Sequence, residues 1–366
     1  MGLCLIGPSA ALAQFSSGST GADGALNVTA STTLDLPANG IFNYTTITVP
    51  LGVTLSFNRN ALNTPVYLLA TGDVLISGII DVSAVNDANS PAAGRGGPGG
   101  FDGGFGAFQG FPSGDGQGPG GGRADAEYGA AYAFPNSGGA NTSIYGNTLL
   151  SPLIGGSGGA AGTNGASIYG GGGGGGAILI ASSSKLTIAG AITASGRDGS
   201  GGGSGGAIRV VAPIVDGTGS LNVAGGNSYL SGTYRGSSGR TRIDSTDRFA
   251  HRSLSLGGKG TRGSQMFVFP PNNPRLDIIS AAGTAIAEGT AAPVTVNLPV
   301  GSPTAQIVRV QARGFTGDVP IRVKITPENG TAATFDAVIP AGNPSFVDVP
   351  VTLVVDTVCH VHAWTR

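Results

Sequence analysis

Two serines stand where a hydrolytic nucleophile could stand. Gly155-Gly156-Ser157-Gly158-Gly159 and Gly202-Gly203-Ser204-Gly205-Gly206 both fit the pattern G-x-S-x-G. That pattern serves acyl transfer where a strand-to-helix turn lifts the hydroxyl toward a histidine base. Both matches lie in glycine runs that generate them by composition, and none of His251, His360 and His362 has a context that completes a triad. Matches to G-x-G-x-x-G fail on the same ground, because none sits between a strand and a helix as a phosphate cradle requires.

Cleavage of polysaccharide needs two carboxylic acids flanking the bond, or a basic residue beside acidic calcium ligands. The glutamates are Glu127, Glu288 and Glu328, and no two aspartates are adjacent in the chain. Asp73, Asp81, Asp198 and Asp216 fall near turns, where an aspartate commonly caps its own backbone. Arg197 and Arg209 are the best basic candidates for a lyase. The stretch Gly99 to Gly106, with Asp102 inside it, resembles one calcium-binding nonapeptide turn, but such a site is built from stacked copies and the stretch occurs once. Cys359, His360 and His362 have metal-ligating side chains, yet on a strand the histidines share a face and the cysteine points away. Their place in the last eight residues predicts a frayed or divergent terminus. No cofactor and no catalytic residue is expected.

Aromatic residues offer a different chemistry, stacking on sugars. Phe101, Phe105, Phe108, Tyr128 and Tyr132, with Phe111, Phe134 and Tyr145 nearby, fall in a stretch from Asp87 to Gly176 dense in Gly, Pro, Ala, Ser and Asn. Their spacing fits no strand or helix face. They either pin this stretch to the rest of the protein or present a ligand surface, and Phe101, Phe105, Phe108, Tyr128 and Tyr132 are the residues that surface would use. The stretch itself reads as a partly irregular insertion.

The elements that must carry it are strands. Ile47 and Val49, then Val53, Leu55 and Phe57, then Val66, Leu68 and Ala70, alternate in the manner of half-buried strands. AILIAS (Ala177 to Ser182) recurs as AIRVVA (Ala207 to Ala212) after 30 residues, and Gly190 to Ala194 aligns with Gly219 to Val223 after 29. A period near 30 with two or three short strands per unit predicts the coils of a β-solenoid. After the Pro-rich stretch 270–275, strands are expected at Val294 to Leu298, Ile307 to Ala312, Val319 to Ile325, Thr334 to Ile339 and Phe346 to Val355. Turn residues such as Asn329-Gly330 separate them. The expected architecture is all-β: a short right-handed parallel β-helix over 14–269 with a glycine-rich insertion at about 87–176, then an immunoglobulin-like sandwich over 276–366.

Composition narrows the function. Of 366 residues, 40% are hydrophobic, only 11% are charged and 67 are glycine. With 19 basic against 20 acidic residues, a general affinity for nucleic acid or anionic lipid has no basis. Residues 1–13, ending Ala11-Leu12-Ala13, read as a clipped signal peptide cut before Gln14. Cys4 would leave with it, so Cys359 would be a single thiol without a disulfide partner. No later apolar run approaches the roughly 20 residues of a membrane span.

The runs Asn63 to Ala84, Gly96 to Gly104, Pro152 to Gly162, Gly171 to Gly196 and Gly203 to Ala212 resemble a group of bacterial secreted glycine-rich repeat proteins of β-solenoid type. In a looser way they resemble the passengers of haemagglutinin-like adhesins. The resemblance implies export and an extracellular or cell-surface life, with no catalytic residues to carry over. The expected function is non-enzymatic: a structural or adhesion protein making surface contacts, with cell-surface or matrix polysaccharide as the expected partner. A polysaccharide lyase or glycoside hydrolase on a β-helix is the alternative.

Overall fold

The structure, a computed structural model, describes residues 15–85, 91–125, 128–141, 143–164, 167–270, 274–290 and 293–366. The expected signal peptide with Cys4, and Glu127, lie outside the described residues. Among those residues the only helical pieces are two 3-10 turns, Gly232–Tyr234 and Ala250–Ser253. Among the described residues no helix is long and apolar enough to cross a membrane.

The repeating half is a three-sided parallel solenoid. One sheet stacks Ile41–Tyr44, Val66–Ala70, Ala177–Ser182, Ala207–Val211, Arg240–Asp244 and Lys259–Gly263. A second stacks Ala25–Asn27, Thr46–Val49, Val74–Ile76, Lys185–Ile188 and Ile214–Asp216. A third stacks Thr32–Asp35, Thr54–Asn58, Ile79–Asp81, Ala191–Thr193, Ser220–Asn222 and Ser255–Leu256. The chain visits the three in rotation, and every rung pairs in parallel. Ala177 pairs with Ala207, thirty residues on, and Ala191 with Ser220, twenty-nine on, which are the spacings of the sequence repeat.

Alternation places one side chain in two inside the prism. Ile180, Ile188, Ile192, Ile208, Val215 and Leu221 come from all three sheets and are buried in one core. Each such side chain contributes roughly 1.5–3 kcal/mol on leaving water. Like neighbours stack on like neighbours, as Ile178, Ile208 and Val66 do in one register.

The corner between the third and first sheets sets this solenoid apart. In its early coils that corner is short. In the next three it lengthens into residues 82–176, 194–206 and 223–239, which join Ile79–Asp81 to Ala177–Ser182, Ala191–Thr193 to Ala207–Val211, and Ser220–Asn222 to Arg240–Asp244. These are the glycine-rich segments. The sequence reads the longest as a partly irregular insertion, whereas most of its glycines are buried and form an ordered array.

Hydrogen bonding in that array follows a three-residue rule. The N–H groups of Gly171, Gly174 and Ala177 donate to the carbonyls of Gly104, Phe101 and Pro98, at 2.9, 2.8 and 2.7 Å. Those of Gly172 and Gly175 donate to Gly201 and Ser204, both at 2.9 Å, on another neighbour. Gly156 and Gly159 donate in turn to Gly175 and Gly172. Partners that recur every third residue, on segments outside any β-ladder, match the repeat of a polyproline II helix, which has no internal hydrogen bonds and turns its N–H groups outward. Stacked side by side, such segments satisfy one another's backbones. Glycine is needed because the segments nearly touch: a Cβ on Gly174 would lie 2.1 Å from the Gly156 carbonyl oxygen, and one on Gly201 would lie 1.7 Å from that of Tyr128.

The C-terminal part is built from two antiparallel sheets around a second apolar core that includes Val310, Ile321, Val323, Ile325 and Val349. One sheet has the order Thr284–Ala285, Arg275–Ala281, Ala305–Arg313, Ser345–Thr352, and the other Ala333–Ile339, Val319–Pro327, Cys359–Thr365. Two expectations are corrected here. Residues 294–298 alternate but form no strand: they join neither sheet, and alternation without a partner edge does not make a strand. The terminus is not frayed, since Cys359–Thr365 pairs along its whole length with Val319–Pro327.

Candidate functional site

Most of the groups that the sequence marks for chemistry are occupied in holding the fold, while His251 is buried with neither ring nitrogen hydrogen-bonded among the described residues. Ser157 and Ser204 are fully buried and bond each other's segments: Ser157 N–H donates to Ser204 Oγ at 2.8 Å, and Ser204 N–H to the Ser157 carbonyl at 2.9 Å. Neither hydroxyl is near a histidine in its hydrogen bonds; Ser157 Oγ donates to Tyr145 Oη at 2.9 Å.

The four repeat aspartates are staples between neighbouring segments. Asp73 accepts from Ser184 Oγ, Asp81 from Thr193 Oγ1, and Asp216 from Thr187 Oγ1, at 2.6, 2.6 and 2.7 Å, each from an adjacent coil. Asp198 accepts from the Asn227 N–H at 2.6 Å. Asp216 also meets Lys185 at 2.8 Å, and this pairing holds its carboxyl below the usual range despite partial desolvation. Asp102 is held by Arg59 and by the Gly96 N–H. Arg197 donates to the Ala84 carbonyl at 2.6 Å.

Arg209 has become part of a buried clasp. Arg209, Arg242 and Asp244 lie on the outer face of the first sheet, with side chains 1%, 7% and 0% exposed. Both guanidinium groups bond the Asp244 carboxylate, which also accepts the Gln265 N–H at 2.9 Å. Their remaining donors reach the carbonyls of Gln265 and Thr148, and Phe267 lies 4.5 Å beneath Arg209. Loss of water pulls the Arg209 pKa down against the opposing pull of Asp244. These bonds tie two crossing segments, near 148 and 265, over the sheet.

A second polar cluster joins the glycine array to the C-terminal sheets. Lys324 is buried and donates from Nζ to the carbonyls of Gly118 and Gly116, at 2.9 and 3.3 Å. Burial lowers its pKa to about 8, with Asp115 opposing the shift. Asp115 accepts N–H groups from both sides of the junction, Ala124 and Ala332, each at 2.8 Å, and burial raises its pKa. His362 lies edge-on to Phe101 at 5.6 Å, and burial, with His360 and Lys324 adding to it, lowers its pKa to about 4. His360 bonds Glu328 at 3.3 Å, while Cys359 turns to the opposite face and packs against the core. The three candidate metal ligands therefore do not converge.

The aromatic candidates do not form one surface. Phe101 is held under the C-terminal sheets, and Phe105 is half-buried nearby in the array. Tyr128 packs on Tyr234 at 4.7 Å. Tyr132 is fully buried against Tyr145 at 4.3 Å, donates to the Ile154 carbonyl at 2.8 Å, and has its pKa raised by burial. Phe108 alone is well exposed, at 60%. It sits at a tight turn closed by bonds between Phe108 and Phe111 in both directions, with Gln109 and Gly110 at φ 45° and 89°. Positive φ at both central residues is the hairpin turn whose twist holds the flanking residues side by side.

That turn makes the best candidate contact site. Phe108, Phe111 and Ile168 are 60%, 42% and 37% exposed and, with Ala107 and Pro112, line an open cavity of about 370 Å³. Single exposed apolar side chains are ordinary, whereas a clustered group on a fixed tip marks a contact surface. Ile168 carries no signal in the sequence, and Phe111, noted there among the aromatics, was not assigned to the ligand surface; the Gln109-Gly110 pair is the available signal and is weaker than Asn-Gly. A second open cavity, about 400 Å³, surrounds Arg309 and Asp348, which bond each other at 2.6 Å. Comparison with protein-family models, curated proteins and solved structures finds no match.

Proposed function

We propose that this is a non-enzymatic, exported structural or adhesion protein, in which the glycine array is a stiff mount for the aromatic tip at Phe108 and Phe111. The observation that carries the reading is the pairing of an array cross-linked by backbone hydrogen bonds with an exposed apolar tip at its rim. A contact made by a fixed tip loses little conformational entropy on binding. Flat aromatic faces suit the apolar faces of sugar rings, so surface or matrix polysaccharide is the proposed ligand class. The C-terminal sheets are proposed to form an immunoglobulin-like sandwich serving as spacer. Support comes from their order, with the first, second, third and sixth strands in one sheet and the fourth, fifth and seventh in the other.

The test is incubation of the chain from Gln14 to Arg366 with insoluble polysaccharides and whole cells, scoring retained protein and released sugar. Retention without released sugar, lost in a Phe108→Ala, Phe111→Ala double variant, is the expected result. Released oligosaccharide would overturn the reading in favour of a lyase or hydrolase.

A further inference from the structure

The C-terminal sheets are closed along one side and open along the other. On the closed side Ala333–Ile339 and Ser345–Thr352, from opposing sheets, run against each other. On the open side Arg275–Ala281 of the facing sheet approaches Cys359–Thr365 less extensively, and among the described residues Cys359–Thr365 pairs only with Val319–Pro327. Exposure rises from the central strand toward both rims, and Phe335, Ala337 and Val347 on the closed side are partly buried as well. Ile321, Val323 and Ile325 are at most 1% exposed, whereas Val361 and Ala363 beside them, and Leu276 and Ile278 on the facing sheet, are only partly buried.

The free edge is also unprotected. The Arg366 N–H donates to Pro320 and the Glu328 N–H to Val358, so the even-numbered residues of this strand bond inward. Antiparallel alternation then turns the N–H and C=O groups of Cys359, Val361, Ala363 and Thr365 to the open side. Natural edges are commonly blunted by proline, charge or shortness. Ser345–Thr352 carries Asp348 and Pro350, and Thr284–Ala285 is two residues long, but CHVHAWT (Cys359 to Thr365) has none of these devices.

The same part of the chain holds a strand without a sheet. Val294-Thr295-Val296-Asn297-Leu298 alternates apolar and polar residues, and Pro299 restricts Leu298 to extended backbone. Among the described residues its backbone makes no hydrogen bond, and Val294 and Leu298 are 44% and 37% exposed. Five residues is an ordinary strand length, with three apolar side chains on one face for the open side of the core.

We propose that residues 294–298 of one copy add as a strand to the free edge of Cys359–Thr365 in a second copy. The mode is strand addition, in which main-chain bonds give affinity and alternate side chains give register. Both halves are present in one chain and neither is paired with a strand on that side among the described residues; in the proposed assembly the pairing falls between copies. Donor and acceptor are different surfaces, so the contact is head-to-tail and propagates into open chains instead of stopping at a dimer.

The test is sedimentation velocity of the full chain, without polysaccharide, from micromolar to millimolar concentration. It reads assembly alone, so its failure is distinct from failure of the adhesive reading. An open-ended, concentration-dependent series is expected, and the double variant Val294→Asp, Leu298→Asp, altered at exposed positions, should stay monomeric with an unchanged circular dichroism spectrum. In a Cys4→Ser background, at least one of V294C, V296C and L298C should cross-link under oxidation to Cys359 of another copy. A monomer at every concentration, a series that survives the double variant, or cross-links confined within one chain would overturn the proposal.

Discussion

The solenoid prism and the glycine array exclude solvent equally well by opposite means. In the prism, Ile178, Ile180, Ile208 and Val210 fill the interior with side chains, and the backbone is satisfied within the sheets. In the array there is almost no side chain to bury; segments approach until carbonyl and N–H groups of neighbouring backbones meet. The prism draws its stability chiefly from apolar area removed from water. The array draws its stability from the backbone bonds between its segments, since an unpaired buried amide costs about 1–3 kcal/mol. The two cores should therefore respond to opposite perturbations: loss of a methyl group in one, gain of a methyl group in the other.

The largest effect is expected where the two regions are tied together. Asp244→Ala leaves Arg209 and Arg242 buried without a counter-charge, which costs about 3–5 kcal/mol. Replacing all three residues by apolar side chains of similar size should restore most of that loss, because a buried ion cluster is seldom better than good apolar packing. Denaturant unfolding of the single and triple variants checks both; a triple variant as unstable as the single one would show that the bonds to Thr148 and Gln265 carry the joint.

Next comes the direct exchange of perturbations. Ile180→Ala should cost about 2–5 kcal/mol through the cavity it leaves in the prism. Gly174→Ala should cost about 1–3 kcal/mol, at the upper end, because the atoms it strikes are the backbone of Gly156 and Ser157 and cannot swing away. Gly232→Ala is the control: nothing lies within 4 Å of its Cβ position, so its effect should stay within about 0.5 kcal/mol. Equal melting temperatures for the Gly174→Ala and Gly232→Ala chains would refute the packed array.

A smaller effect, about 2 kcal/mol after allowing for partial exposure of the ring, is expected from pH at the junction of the array with the C-terminal sheets. His362 stays neutral in the fold down to about pH 4, whereas in the unfolded chain it takes up a proton near 6.5. Between these values the unfolded state binds more protons, so stability falls as pH drops through this window and is unaffected by His362 above it. Chemical denaturation at pH 7 and pH 4.5 should show this loss in the native chain and a smaller one in His362→Gln.

The prism was legible in the sequence and the array was not, for a physical reason. Repeats such as AILIAS and AIRVVA carry a hydrophobic period, so both the coil and its register could be read from Ala177 and Ala207. A backbone-bonded core has no hydrophobic period, and its glycines look like loop. The same blindness explains Arg209, whose basic side chain reads as chemistry until its burial beside Asp244 is seen. At Val294 to Leu298 the period was real but the segment joins neither sheet, and at Cys359 to Thr365 a terminal position masked a strand paired along its length. The tip was half legible: Phe108 was singled out, but its closeness to Phe111 depends on a turn, and to Ile168 on tertiary packing.

The smallest effect on stability should come from the residues that lie outside both cores. Phe108 and Phe111 are held apart from the apolar interior of the prism, and their turn is closed by its own two backbone bonds, whatever the side chains. Phe108→Ala should change the unfolding free energy by no more than about 0.5 kcal/mol, as surface substitutions do. If retention on polysaccharide falls while the unfolding curve stays in place, contact and scaffold are separable. If the unfolding curve moves as far as it does for Gly174→Ala, the tip is a structural part of the array and the contact surface must be sought elsewhere on the molecule.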